Sequence, residues 1–175
     1  IQAASERAKP VIIATQMLQS MIHNPEPSAP EITDVANAVL EGADGIMLSG
    51  EVAVGKFPVR CLQTMHKIIK EVESWSIKSN SLAIKDFYFP DIWQPHFAIA
   101  KAAAETADAL KAKLIICLTL TGSIARLISS LRPKTPILAI SPREEVIYRL
   151  VYTWGVSGMR NPFFYDTDTL LQQIP

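Results

Sequence analysis

Cysteine is scarce. The chain has two, Cys61 and Cys117, each inside an apolar run, and they form no CxxC pair. They supply too few ligands for a structural zinc site and read as buried free thiols in a reducing compartment. An excess of one charge is missing too. Lysine plus arginine gives 17 and aspartate plus glutamate gives 17, for a net charge of zero. Phosphate-backbone binding needs a basic excess that this chain lacks. The charges are mixed rather than blocked, which excludes a polybasic patch for an anionic membrane. No apolar run approaches the ~20 residues of a membrane helix. No signal peptide, internal repeat or low-complexity tract is found. Residue 1 is Ile, and residues 1–6 read as the end of a helix, so the expectation is a chain that starts inside something larger.

What is plentiful is apolar side chain, 49% of 175 residues, which is enough for a core and argues against disorder. The length fits one domain, or one domain and a piece of another. Residues 11–15 form a short apolar run after Lys9-Pro10 and predict a strand buried on both faces, as in a parallel sheet. Three prolines mark residues 20–30 as a loop. Ser28 and Glu31 have the spacing of a capping box, so a helix should follow to about Glu41 and stop at Gly42. Residues 45–49 predict the next strand, with Ser49-Gly50-Glu51 as a loop. Pro58 opens a helix whose Leu62, Met65, Ile68, Ile69 and Val72 recur at helical spacing and should face a core, with Trp75 extending that face.

Composition changes over residues 76–96, where serine, asparagine, proline and aromatics follow no period. This stretch reads as a linker between a first domain, 1–75, and a second, 97–175. In the second, an alanine-rich helix over 97–110 precedes a strand over 114–119. A helix from Gly122 ends near Arg132-Pro133, and a strand covers 137–140. Ser141-Pro142-Arg143-Glu144 predicts a second capping box with proline at the first helical position. Its helix would carry Val146, Ile147, Leu150, Val151 and Trp154. A short strand over 156–159 and a last helix capped by Asp166 or Asp168 complete the reading. Alternating strands and helices define an α/β class with parallel sheets.

Working residues of parallel α/β folds sit on loops at the carboxyl ends of strands. That rule selects Thr15-Gln16, Ser49-Gly50-Glu51, residues 119–123 and Ser141. Small polar residues also suit plain turns and caps, so position alone does not separate the two uses. Thr121-Gly122-Ser123 is the anion candidate, because hydroxyls and a glycine precede a helix N-terminus, although the lysine and length of a P-loop are absent. His23, His66 and His96 have no metal-ligand spacing, and His66 lies on the Leu62 helix as a surface or satisfied residue.

Three longer motifs are more specific. Residues 9–21, from Lys9-Pro10-Val11 to Gln19-Ser20-Met21, resemble the KPVI-ATQMLESM segment of pyruvate kinases. Residues 33–44 are similar to that family's SDVANAVLDGAD, and residues 46–51 match its IMLSGE. Arg132-Pro133-Lys134-Thr135-Pro136-Ile137 is similar to a segment of the family's carboxyl-terminal domain. The resemblance implies the last two βα units of a (β/α)8 barrel in residues 1–75, and an incomplete α/β carboxyl-terminal domain in 97–175. It implies a cytoplasmic, homotetrameric glycolytic enzyme that moves the phosphoryl group of phosphoenolpyruvate to ADP. The magnesium and potassium it uses would be held by residues upstream of this chain. Thr15 matches the threonine that contacts the substrate carboxylate and borders the enolate. Ser49 and Glu51 match the loop where a hydroxyl and a carboxylate order the proton-donating water. Thr119, Thr121, Gly122 and Ser123 match an effector loop that cradles a phosphate of a sugar phosphate.

The chain alone is expected to be inactive. Two alternatives stand beside this reading. One is a non-catalytic effector-binding and oligomerisation module. The other is a catalytically decayed relative, suggested by Ala29, Val52 and Val54, which replace an arginine, a threonine and a lysine of the family pattern. Gln19 also replaces a glutamate.

Overall fold

The computed structural model describes residues 1–79 and 94–162. The chain divides into two units, one of Ile1–Ser5 with Pro10–Ala83 and one of Glu6–Lys9 with Ile84–Pro175.

The first unit opens with a one-turn helix, α1 (Gln2–Ser5), and the strand β1 (Ile12–Ile13). A 3-10 turn (Gln19–Ile22) follows, then helix α2 (Ala29–Leu40), strand β2 (Gly45–Ile46), a one-turn helix α3 (Gly50–Ala53) and helix α4 (Pro58–Ser79). The strands pair in parallel, with Ile12 opposite Gly45 and Ile13 opposite Ile46. Asp44 fixes this register, because its carboxylate accepts the Val11 N–H at 2.9 Å while its own N–H donates to the Val11 carbonyl.

α2 forms as its sequence dictates. The Glu31 carboxylate accepts the Ser28 N–H at 2.8 Å, which closes the N-terminus. Val35, Ala38 and Val39 fall on one stripe and are buried. Gly42, with φ of 92°, ends the helix. The core gathers Leu18, Met21 and Val35 with Cys61 and Met65 of α4. Burying a side chain such as Leu18 contributes roughly 1.5–3 kcal/mol.

Four expectations are corrected in this unit. β1 is not buried on both faces: Ile13 packs on the core, but Ile12 is 49% exposed. The segment after β2 is not an open loop, since Gly50–Ala53 winds into α3. On α4, Leu62 is 62% exposed and Cys61 takes the core position. The inward stripe runs through Cys61 and Met65 with Ile68 and Ile69 partly buried, one residue out of phase with Leu62, and Trp75 lies outside it. Last, α4 continues through Ser79, into the stretch read as a linker.

In the second unit, helix α5 (Gln94–Ala109) precedes strand β3 (Ile115–Leu118), helix α6 (Ser123–Ser130), strand β4 (Ile137–Ser141), helix α7 (Glu144–Leu150) and strand β5 (Val156–Arg160). The sheet is parallel in the order β3-β4-β5. Ala100, Ala104 and Ala107 recur at helical spacing on α5 and are buried, so small side chains let the helix approach the sheet closely. Cys117 and Ala139 pair across β3 and β4 within the same core.

The second capping box is absent. Ser141 is the last residue of β4 and pairs with Arg160 of β5, and its hydroxyl accepts the Arg143 N–H at 3.3 Å rather than an N–H of the first turn of α7. Arg143, in extended conformation, precedes α7 instead. The helix ends at Leu150, which leaves Val151 67% exposed and Trp154 beyond it. The expected helix near Asp166 or Asp168 lies outside the described residues. No helix among the described residues is long and apolar enough to cross a membrane.

Candidate functional site

The carboxyl ends of β1 and β2 lie side by side because the strands are parallel and paired. Each is followed by a segment that carries candidate residues. Thr15 sits two residues past β1, is exposed, and its hydroxyl donates to the Met17 sulfur at 3.1 Å. Ser49 sits three residues past β2, is exposed, and stands at the N-terminus of α3.

Glu51 joins the two segments. Its side chain is buried and accepts the Leu18 N–H at 3.1 Å and the Ser49 N–H at 2.9 Å. Burial works to raise its pKa. The N–H groups of Glu51 itself, Ser49, Leu18 and Met17 outweigh burial and hold the carboxyl below the ordinary glutamate value. Glu51 is therefore an anion engaged with backbone, and it ties the Thr15 segment to the Ser49 segment.

A second carboxylate holds the same region. Glu31 of α2 accepts the Ser20 N–H at 2.7 Å and the Ser20 hydroxyl, besides the N–H and hydroxyl of Ser28. Burial again opposes ionisation, and the bonds from Ser20 and Ser28 prevail, so this carboxyl too lies below its ordinary value. The grip on Ser20 was not legible in the sequence. The capping spacing accounts for Ser28, but Ser20 lies eleven residues away and is brought to Glu31 by the 3-10 turn.

No three His, Cys, Asp or Glu side chains come together to hold a metal among the described residues. Glu31 and Glu51 are both turned onto N–H and O–H donors, so neither fits as a ligand for the cations that the family resemblance implies. A groove of about 580 Å³ between α2 and α4, lined in part by Ile32, Ala36, Arg60 and Lys67, takes in none of Thr15, Ser49 and Glu51.

The other candidate residues meet after β3. The buried Thr119 hydroxyl accepts the Gly122 N–H at 2.8 Å. The hydroxyls of Thr121 and Ser123 are 2.8 Å apart and bonded to each other. Gly122 has φ of 78°, and a Cβ there would come within 3.1–3.3 Å of Arg126, Leu150 and Val146, so only glycine suits the turn. Arg126, which the sequence reading did not select, reaches back so that its guanidinium donates to the Thr121 carbonyl at 3.5 Å. Its place one turn into α6 is the signal that was available. Burial, and then the nearby Arg149, lower its pKa. Thr119 supports the turn from beneath, while Thr121 is on its exposed side.

Two parallel strands whose loops meet at their carboxyl ends, followed by a second parallel α/β unit, define an α/β class, which the comparisons make specific. Residues 1–62 match the pyruvate kinase barrel domain, and residues 97–174 match the pyruvate kinase alpha/beta domain. The chain belongs to the pyruvate kinase family. It is similar to pyruvate kinase 2 of Synechocystis, with 44% identity over 91% of this chain and 26% of that protein. Among solved structures it is similar to Cryptosporidium parvum pyruvate kinase, with 36% identity and a TM-score of 0.80 over 99% of this chain and 36% of that one. The same C. parvum enzyme in complex with ADP matches with 35% identity and a TM-score of 0.74, over 98% of this chain and 34% of that one. The chain thus spans about a quarter to a third of these relatives.

Proposed function

We propose that the chain serves as the carboxyl-terminal part of a pyruvate kinase, which transfers the phosphoryl group of phosphoenolpyruvate to ADP. The phosphorus–oxygen bond to the enol breaks, one to the terminal ADP oxygen forms, and the enolate is then protonated at carbon to give pyruvate. The observation that carries this reading is the Glu51 carboxylate joining the loops after β1 and β2, which holds the exposed Thr15 beside the Ser49 segment. The Thr15 hydroxyl donates to the substrate carboxylate and borders the enolate, where a positioned hydroxyl relays a proton. Ser49 orders the water that supplies it, and Glu51 keeps the two segments in register. The C. parvum structure with ADP supports ADP as acceptor. Magnesium and potassium would be held outside this chain, and a homotetramer in the cytoplasm completes the reading.

Phosphoryl transfer needs cationic groups around the transferring oxygens. No cluster of His, Cys, Asp or Glu among the described residues could hold a metal ion, so the chain alone should show no turnover with phosphoenolpyruvate, ADP, magnesium and potassium in a coupled assay. Turnover by this chain alone would overturn the assignment of the metal-holding residues to the rest of the enzyme.

Arg126 favours a second, compatible role. A cation beside the Thr121-Gly122-Ser123 turn suits a phosphate group of a sugar-phosphate effector. Calorimetry with fructose 1,6-bisphosphate tests it: binding heat that Ser123→Asp abolishes is expected, and silence at millimolar ligand would sink it.

A further inference from the structure

The segment that carries Thr15 is short and is gripped at two points. Between the end of β1 at Ile13 and Ser20 lie only residues 14–19. Glu51 takes the Leu18 N–H in the middle of this stretch. Glu31 takes both polar groups of Ser20 at its end, the N–H on Oε1 and the hydroxyl on Oε2. Its Oε2 is also the capping oxygen, which accepts the Ser28 N–H at 2.8 Å and the Ser28 hydroxyl at 2.9 Å.

A capping box by itself needs one carboxylate oxygen at the helix N-terminus. Here Oε1 makes its bond to Ser20, outside the box and eleven residues back along the chain. Bonds to an ionised acceptor are roughly twice as strong as neutral ones. The carboxylate stands on a rigid base, since Val35, one turn further along α2, is fully buried. The turn it grips is anchored by Met21, also fully buried. Glu31 is thus placed to transmit the position of α2 to the loop after β1.

We infer that Glu31 is a positioning residue for Thr15, setting where the Thr15 hydroxyl is presented by holding Ser20 while Glu51 holds Leu18. This rests on the reading of Thr15 given above. Side-chain misplacement on the scale of 1 Å costs on the order of a hundredfold in rate, so partial release of the loop should be visible in turnover.

The test uses the complete enzyme that carries this sequence, with kcat, KM for phosphoenolpyruvate, KM for ADP and thermal midpoint measured for each variant. Glu31→Gln keeps the size and loses the charge. It should lower kcat roughly tenfold or more, with a much smaller change in the KM for ADP. Ser20→Ala removes one of the gripped groups, and with it the 3.2 Å bond from the Ser28 N–H to the Ser20 hydroxyl, but leaves the Glu31–Ser28 bonds of the cap in place, and it should lower kcat in the same direction. The double variant should be little worse than Glu31→Gln alone, because both act through one contact. A folded Glu31→Gln enzyme with unchanged kcat, or losses that simply multiply, would overturn the inference. Should Glu31→Gln fail to fold, Ser20→Ala decides: unchanged kcat overturns the role and reduced kcat supports it. Thr15→Val separates the two levels. If it lowers kcat while Glu31→Gln does not, only the Glu31 role fails. If it leaves kcat unchanged, the reading of Thr15 fails and the inference with it.

Discussion

Two glutamates, Glu51 buried and Glu31 partly buried, show what a side chain contributes beyond its type. As residues in a motif, Glu31 and Glu51 are a helix cap and a loop acid. In the fold each is an anion surrounded by N–H donors, and that decides how it responds to pH. Both carboxyls lie below their unfolded values despite burial. A depressed carboxyl stabilises the folded state above the unfolded pKa of about 4.3 and loses that contribution as pH falls through the folded value. The chain should therefore lose stability below about pH 4, and Glu51→Gln should flatten that acid limb in urea unfolding followed across pH. A limb identical to the parent's would show that Glu51 is not ionised in the fold. Cys117 gives the opposite case. Burial pushes its thiol up to about 12, so its thiolate fraction at pH 8 is on the order of 10⁻⁴. Cys61 is raised as well, by burial and then by Glu51 and Glu31. Native chain should resist iodoacetamide for hours and take up two equivalents once unfolded. Rapid native labelling would contradict the burial of both thiols.

At the scale of elements, the α2 capping box and its Gly42 stop were legible because both are local: the groups that satisfy the helix ends lie within a few residues of them. The box expected at Ser141 does not form, because Ser141 ends β4 and its hydroxyl turns onto the Arg143 N–H ahead of the helix. α4 shows a third situation. Its helical period is plain, but the phase is not, since apolar residues lie on either side of the stripe that is buried. Packing against α2 chose Cys61 and Met65 over Leu62. Met65→Ala should then cost roughly 2–5 kcal/mol in urea unfolding of this chain, and Leu62→Ala within about 0.5 kcal/mol. Equal losses would mean that Leu62 is inside. Thr15, Ser49 and the 119–123 turn were selectable because strand ends are, while the grip of Glu31 on Ser20 and the reach of Arg126 to Thr121 depend on turns that no spacing rule encodes.

For the whole molecule, hydrophobic content and the βαβα order were sufficient to assign parallel α/β structure, and long motifs in the right order pointed to the family. Both follow from local pattern, because a strand buried in a parallel sheet needs an apolar run and a crossover helix needs a stripe. What lay beyond reach was which surfaces are covered. Ile12 sits in such a run yet is half exposed, since coverage depends on layers that neighbouring residues do not supply. Residue order thus settled the class, the alternation of the main strands and helices, and the placement of Thr15, Ser49, Glu51 and Ser123 after strand ends, but not the short helix α3. Tertiary contacts alone decided that Glu51 joins two loops, that Glu31 reaches Ser20, and which side of α4 is core. Those contacts span about 11 to 33 residues of chain, and only packing brings such partners together.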